Sequence, residues 1–158
     1  MKTPLPAGPQ EAIVDVGLAV LLRERPATTA GSHSVREALI TLRPRETVYG
    51  GWWEIPGGKL EPEESLDDCI VRELEEEVGA RARVLGPLPG VPEIVHRYPH
   101  ATVRLHARVC ELLPDSPPPS NRTVADHRWA DADLVEQTDF PPANDEVKAA
   151  LVRLLRQK

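Results

Sequence analysis

The alternation of apolar and polar side chains along the chain predicts a series of short strands. Residues 13–22 form an apolar run rich in β-branched side chains, which is typical of a buried strand. Strand character resumes at 37–43, and we interpret the polar stretch 23–36 as a surface loop. Further strands are predicted at 82–85, 93–98, 102–112 and 126–129. In the strand at 102–112, Val103, Leu105, Ala107 and Val109 lie on one face and Arg104, His106 and Arg108 on the other.

The clearest helical pattern in the chain lies at residues 65–79. Ser65 is suited to be the N-cap, and Asp68 three residues later completes a capping box. Gly79 stands where a left-handed C-terminal cap is expected. An apolar stripe with helical spacing is formed by Leu66, Ile70, Leu74 and Val78. These signals predict one amphipathic helix with a defined start and end.

A second helix is predicted near the C-terminus, and Asn144 would open it. Its core face would be formed by Val147, Ala150, Leu151 and Leu154. Residues 1–10 are rich in proline and are expected to form a flexible segment. Residues 11–158 show no internal repeat or boundary, so we expect one domain there. Strands combined with one central and one terminal helix predict an α/β layered fold.

The charge and cysteine content narrow the classes of function. The 158 residues carry a net charge of −6, which argues against a protein that grips long nucleic acid through its phosphates. Small anionic substrates stay open, because a bound divalent cation reverses the local field. Cys69 and Cys110 are interpreted as buried free thiols. No membrane span or signal peptide is indicated, so a cytoplasmic protein is expected, with a monomer as the default state.

Three carboxylates on the predicted helix carry candidate chemistry. Glu73, Glu76 and Glu77 are related by i+3 and i+4, so their side chains project from one face toward a shared point. Their mutual repulsion would be removed by Mg²⁺ or Mn²⁺, which prefer oxygen ligands. A solvated acidic face is the alternative. The preceding Pro56-Gly57-Gly58 favours a site, because glycine lets the backbone approach a ligand and offer its carbonyls.

The stretch from Gly58 to Ala80 resembles the Nudix signature in register. The signature is Gly, five residues, Glu, seven residues, then Arg-Glu-apolar-any-Glu-Glu-any-Gly-apolar. This chain has Gly58, KLEPE, Glu64, SLDDCIV and then RELEEEVGA, with only Ala80 smaller than usual. The resemblance implies an α/β (α+β) Nudix fold, in which a mixed β-sheet is sandwiched between helices and the signature forms a loop–helix–loop.

The same resemblance implies roles for the matched residues. Glu73, Glu76 and Glu77 would hold the metal ions together with the carbonyl of Gly57. Glu73 would also orient or deprotonate the attacking water. The remaining matched positions, Arg72 and Glu64, would position the carboxylates and support them. The implied reaction is substitution at a pyrophosphate phosphorus, with metal ions lowering the pKa of bound water and neutralising phosphate charge.

Residues outside the signature resemble the MutT-like branch of the family. Asn144, in the segment DFPPAN, matches an asparagine that reads the base edge in that branch, although an ordinary N-cap is the alternative. Arg43 matches a substrate-contacting arginine, or is an ordinary surface arginine. Tyr98 would line the base pocket, or is a half-buried core tyrosine. Two positions depart from the pattern: Ala101 replaces an arginine, and Thr123 replaces a metal-binding glutamate.

These features together imply hydrolysis of a nucleoside triphosphate, such as 8-oxo-dGTP, to the monophosphate and pyrophosphate, in sanitising the nucleotide pool. Hydrolysis of ADP-ribose, nucleotide sugars, dinucleoside polyphosphates or pyrimidine triphosphates stays open, because variable loops set the choice of substrate. The pattern of His96, Tyr98 and His100 also resembles a non-catalytic domain that recognises oxidised bases. The intact carboxylates of the signature disfavour that second interpretation.

Overall fold

A mixed β-sheet with helices on both of its faces forms the body of the protein. A computed structural model describes residues 12–91, 93–99 and 101–158. The strands are β1 (Ile13–Arg25), β2 (Val35–Leu42), β3 (Trp53–Glu54), β4 (Gly57–Lys59), β5 (Ala82–Pro87), β6 (Ile94–Tyr98), β7 (Ala101–Leu112) and β8 (Asp126–Ala130). The helices are α1 (Leu66–Val78), α2 (Ala132–Gln137) and α3 (Asp145–Arg156), with a 3₁₀ turn at Pro142–Asn144.

The centre of the sheet is the parallel pair β1 and β7, which run together from Ile13↔Thr102 to Leu22↔Glu111. Antiparallel strands extend the sheet on both sides: β5 and β6 pair with β7, β4 and β2 pair with β1, and β3 and β8 pair with β2. The expected fold class, a mixed sheet between helices, is confirmed. The predicted flexible segment at 1–10 and His100 lie outside the described residues, and one domain over 11–158 stays a prediction.

Two separate cores lie on the two faces of the sheet. The alternation of side chains along β1 sends Ala19 and Leu21 to one face and Leu18 and Val20 to the other. Helix α1 covers the first face through Ile70, Leu74 and Val78. Helices α2 and α3 cover the second face through Val135, Val147, Ala150 and Leu151. The sheet is therefore covered on both sides, and α1 packs against the central strands β1 and β7.

The first loop is shorter than the sequence pattern predicts. The expected loop at 23–36 was wrong at both ends, because β1 continues to Arg25 and β2 begins at Val35. The polar side chains in this hairpin pair across the strands: Arg23 and Arg25 donate to the Glu37 carboxylate at 2.7 and 3.0 Å. Ion pairing between adjacent strands lets polar residues occupy strand positions, so polarity alone misplaced the boundary.

Two short elements were missed by the sequence pattern. Helix α2 has only one fully buried residue, Val135, and its start is fixed by Asp131, whose carboxylate accepts from the Leu134 N–H. Strand β4 consists largely of glycine, which has low strand propensity. Its pairing with β1 explains the composition, because a Cβ at Gly57 would lie 2.0 Å from the Gly17 carbonyl oxygen.

Helix α1 begins and ends where its sequence predicts. The Ser65 hydroxyl accepts from the Asp68 N–H at 3.1 Å, and Gly79 adopts φ 68°, so both caps are confirmed. The segment after β7 also closes the C-terminal end of α1. Ser120 donates its N–H to the Val78 carbonyl, and Arg122 and Thr123 donate theirs to the Glu77 carbonyl. These bonds satisfy terminal carbonyls of the helix and fix its last turn.

Helix α3 has a slightly different buried face from the predicted one. Val147, Ala150 and Leu151 are buried as expected, whereas Leu154 is half-buried and Leu155 takes the deeper position. Cys69 and Cys110 are buried free thiols, as predicted, and burial raises the pKa of both. Within the described ranges, no helix is long and apolar enough to cross a membrane.

Candidate active site

Arg72, on helix α1, is the centre of a network of ion pairs with the carboxylates of the signature. Its Nε donates to the Glu64 carboxylate at 2.9 Å, and its Nη1 donates to Glu73 at 2.9 Å and to Glu76 at 3.2 Å. Its Nη2 reaches the Lys59 carbonyl at 3.2 Å, which ties the helix to the preceding loop. The structure thus brings these signature residues together, and Arg72 hydrogen-bonds three of their carboxylates.

Glu73 lies directly against the glycine loop. A Cβ built on Gly58 would stand 2.3 Å from a Glu73 carboxylate oxygen, so a side chain at this position would displace the Glu73 carboxylate. Burial raises the pKa of Glu73 above its ordinary value, and it outweighs the opposing ion pair with Arg72. A carboxylate with this surrounding is poised to gain stability from a further cation.

Glu77 is the most deeply buried of the three helix carboxylates. The Gly57 N–H hydrogen-bonds its carboxylate, yet one oxygen, Oε2, is buried with no hydrogen-bond partner among the described residues. Burial, followed by the charges of Glu54 and Glu73, raises the pKa of Glu77 to about 9. Groups with such shifted pKa values concentrate at functional sites.

Glu54 is a further carboxylate of the site, beyond the four of the signature, and the sequence pattern did not reveal it. It stands on β3, where the Arg43 Nη1 donates to both of its oxygens at 3.0 Å. Burial raises the pKa of Glu54 above its ordinary value, against the effect of Arg43. The pairing Thr41↔Glu54 between β2 and β3 places the two side chains together, and this contact is set by the sheet rather than by spacing in the sequence.

The donor set fits a hard divalent cation, although the side chains point elsewhere in this arrangement. No group of three or more His, Cys, Asp or Glu side chains in residues 12–91, 93–99 and 101–158 is placed to hold a metal ion. The reason is visible at Arg72, which draws Glu73 and Glu76 into ion pairs. The partnerless Oε2 of Glu77 is the oxygen that such a cation would satisfy.

A cavity of about 260 Å³ opens beside these carboxylates. Its apolar lining comes from the sheet and from the segment before α3, namely Val16, Leu18, Ile55, Val103, Leu105, Pro141 and Ala143. Its polar lining comes from Arg43, Tyr49, Glu54, Lys59, Tyr98 and Asn144, together with Gly57 and Gly58. The three residues expected to bind substrate, Arg43, Tyr98 and Asn144, therefore meet at one cavity.

Asn144 is not an ordinary helix cap. Its side chain makes no capping hydrogen bond within the described residues, and its backbone has φ −93° and ψ 0° because the 3₁₀ turn beginning at Pro142 precedes α3. The N-cap alternative is therefore wrong for the side chain. Asn144 is only 8% exposed, and its buried Oδ1 has no partner in the part of the chain that the structure describes. A buried amide oxygen without a protein partner can accept a hydrogen bond from a ligand or a water molecule in the cavity.

The structure locates Ala101 and Thr123, the two residues that depart from the MutT-like pattern. Ala101 begins β7 and pairs with Tyr98 across the turn. Thr123 contacts the helix through its backbone, by donating to the Glu77 carbonyl at 3.2 Å. Asp126, three residues after Thr123, accepts from the His127 N–H at 2.8 Å, and the carboxylates that act on Glu77 are Glu54 and Glu73.

Comparison with known proteins gives the same picture along most of the chain. The family model described as the NUDIX domain matches residues 23–151. The 8-oxo-dGTP diphosphatase of Escherichia coli strain K12 is 30% identical over 118 residues, covering 75% of this chain and 88% of that protein. The CTP pyrophosphohydrolase of the same strain is 48% identical over 46 residues, covering 29% of this chain and only 34% of that protein.

Among solved structures, the E. coli ORF135 protein superposes on this chain with a TM-score of 0.70 at 26% identity. The superposition covers 93% of this chain and 95% of that one. The region matched by the family model includes the glycine loop, the whole of α1 and Asn144.

Proposed function

The chain belongs to the Nudix family and is a Nudix hydrolase, and from this membership we propose that it hydrolyses a nucleoside triphosphate to the monophosphate and pyrophosphate. Water forms a new bond to a phosphorus of the triphosphate, and the bond from that phosphorus to a bridging oxygen breaks. The fragment on that bridging oxygen leaves with the bond electrons. Oxidised purine nucleotides such as 8-oxo-dGTP are the substrates we place first.

In this proposal, the carboxylates of α1 support the hydrolysis step. Glu73, Glu76 and Glu77, with the Gly57 carbonyl, would hold Mg²⁺ or Mn²⁺. A bound cation would lower the pKa of water and neutralise phosphate charge. Glu73 would orient the attacking water or accept its proton, as the family resemblance implies. Arg72 would restrain the carboxylates through the contacts it makes with Glu73 and Glu76.

The proposal that the substrate is a nucleotide rests on one observation. The Oδ1 of Asn144, in the cavity beside the carboxylates, is buried and has no hydrogen-bond partner among the described residues. An amide both donates and accepts, which suits the edge of a base. The apolar lining would exclude water from the flat faces of that base. Tyr98 also lines the cavity, and its ring packs edge-to-face on His96 with ring centroids 4.5 Å apart.

A substrate panel tests the proposal directly. We expect the purified protein with Mg²⁺ or Mn²⁺ to release pyrophosphate from 8-oxo-dGTP or another nucleoside triphosphate faster than it cleaves ADP-ribose or diadenosine polyphosphates. The two E. coli relatives named above make 8-oxo-dGTP and CTP the first pair to compare. Preference for ADP-ribose or for a dinucleoside polyphosphate would overturn the proposed substrate class while leaving the hydrolase assignment intact.

Replacing Asn144 with alanine is expected to raise KM for the preferred triphosphate by about tenfold or more, since a good contact to a base edge is worth about 1–3 kcal/mol. The kcat should change much less, because the carboxylates are untouched. Asp145→Asn, at the first residue of α3, is the matched control for the helix start. If Asn144→Ala lowers the melting temperature and slows all substrates in proportion, Asn144 has a structural role only.

A further inference from the structure

The loop between β2 and β3 holds one aromatic residue in an uncommon backbone conformation at the edge of the cavity. Tyr49 has φ 58°, in the left-handed region that residues other than glycine rarely adopt. Three backbone hydrogen bonds hold the surrounding turn: Thr47 N–H to Pro44, Gly50 N–H to Thr47, and Trp52 N–H to Tyr49. The conformation of Tyr49 is thus imposed by a compact, internally bonded loop, as is common at ligand-binding positions.

The same loop is tied to the carboxylates of the site through one arginine. The Nε of Arg43 donates to the Val48 carbonyl at 2.7 Å, while its Nη1 donates to Glu54. The backbone of Arg43 is also fixed, because it accepts from the Gly51 N–H at 3.0 Å. The position of Tyr49 relative to Glu54 is therefore set by a continuous chain of hydrogen bonds.

The side chain of Tyr49 lines the cavity at its solvent edge. Tyr49 is 38% exposed, whereas Leu18 and Leu105, which line the same cavity from the sheet, are each 6% exposed. The Tyr49 ring lies 6.4 Å from the Tyr98 ring at an angle of 50°, and the two side chains are hydrogen-bonded. Two tyrosines from separate elements thus form an aromatic edge on a cavity whose deeper wall is the apolar surface of the sheet.

We propose that Tyr49 is a specificity-determining residue that stacks on the base of the bound nucleotide at the open edge of this cavity; this inference rests on the proposed nucleotide substrate. Its ring would cover the part of the base that the sheet leaves in water, and Asn144 would contact the edge of the base. Stacking tolerates any base, since every base has a π-face, so Tyr49 would distinguish nucleotides from phosphoanhydrides that carry no base.

The test uses variants that suit the left-handed backbone. Tyr49→Asn removes the ring, and asparagine accepts a positive φ better than most residues, so the loop is preserved. Tyr49→Phe keeps the ring and loses the hydroxyl. Val48→Ala is the matched control, because Val48 is the neighbouring residue, is 75% exposed and does not line the cavity. All three variants leave Arg43, Glu54 and the helix carboxylates unchanged.

Two measurements separate stacking from a structural effect. Calorimetry would give the Kd of whichever of 8-oxo-dGMP, dGMP and CMP the wild-type protein binds most tightly. Kinetics would give KM and kcat for the matching triphosphate and for inorganic tripolyphosphate, which has no base. We expect Tyr49→Asn to raise the Kd and the nucleotide KM about tenfold, in line with the worth of base–aromatic stacking. Tyr49→Asn should leave the KM for tripolyphosphate within about twofold of the wild-type value, because this substrate has no base to stack. Tyr49→Phe and Val48→Ala should leave the nucleotide Kd and KM within about twofold of the wild-type values, because base stacking needs only the ring of Tyr49.

Three results would overturn the inference. The first is a nucleotide Kd that Tyr49→Asn leaves unchanged. The second is an equal rise in KM for tripolyphosphate, which would indicate a disturbed phosphate site. The third is a wild-type protein that binds none of the three monophosphates. Failure of the proposed function is distinguishable, because a protein that binds a monophosphate but cleaves no triphosphate still tests Tyr49 through its Kd.

Discussion

Replacing Glu76 with glutamine is expected to slow pyrophosphate-bond hydrolysis by at least about a hundredfold, because residues that merely support metal ligands are themselves typically worth about 10–100-fold. The substitution should leave the fold intact. The Glu76 side chain is 54% exposed and has one ion pair, to Arg72 at 3.2 Å. Exposed changes of this kind usually alter the free energy of unfolding by no more than about 0.5 kcal/mol.

The neighbouring Glu75 offers a matched control for this experiment. Glu75→Gln removes the same charge from the next position of the same helix, where the side chain is also exposed. Steady-state rates with Mg²⁺, with Mn²⁺ and after chelation with EDTA, alongside melting temperatures, complete the comparison. The metal mechanism fails if Glu76→Gln retains wild-type activity, if Glu75→Gln is equally impaired, or if activity survives EDTA.

Helix α1 was predictable from sequence because its signals are local and agree with one another. Ser65, the apolar stripe and Gly79 each act within a few residues, so no distant contact decides the outcome. Strand β4 is the opposite case, since Gly57 and Gly58 form a strand only because β1 lies beside them. The hairpin at 23–36 was misplaced for a related reason: Glu37 satisfies two arginines from the opposite strand.

The residues of the candidate site also differ in how far local sequence predicts them. Helical spacing alone predicts that Glu73, Glu76 and Glu77 share one face. In the structure Arg72 hydrogen-bonds Glu73 and Glu76, whereas Glu77 is buried beside Glu54 and Glu73. Glu54 belongs to the same cluster through pairing between strands, and no spacing rule links it to α1. Asn144 shows the limit most clearly, because a helix cap and a cavity residue have the same sequence signal. Only its position in the fold separates the two.

The buried Glu77 carboxyl should destabilise the metal-free protein when it is charged, although its proposed role as a metal ligand needs the charged form. Its pKa rises from 4.5 to about 9 in the folded protein, chiefly because burial disfavours the charged form. The folded state therefore holds a proton that the unfolded state releases above pH 4.5. By linkage, the free energy of unfolding of the metal-free protein should fall as pH rises from 4.5 toward 9. Glu54 and Glu73, whose pKa values are also raised, add to the same trend.

Glu77→Gln is thus expected to stabilise the metal-free protein at alkaline pH while lowering its activity at least about a hundredfold. The carboxamide is uncharged in both the folded and unfolded states, so it should make the decline with pH shallower. At pH 8 in EDTA, we expect its melting temperature to exceed the wild-type value by roughly 5 °C. Adding Mg²⁺ or Mn²⁺ should raise the wild-type melting temperature and leave that of the variant nearly unchanged.

Thermal unfolding between pH 5 and 9, with and without metal, distinguishes the possible roles of Glu77. If the two proteins lose stability in parallel as pH rises, the Glu77 carboxyl is not the group that takes up a proton on folding. If the variant keeps the full metal-induced stabilisation, Glu77 is not a metal ligand. Glu75→Gln should show the same dependence of melting temperature on pH and metal as the wild type, because the Glu75 side chain is exposed to solvent. A stabilised but inactive Glu77→Gln would mean that the chain retains a destabilising buried carboxyl because the reaction needs its charge.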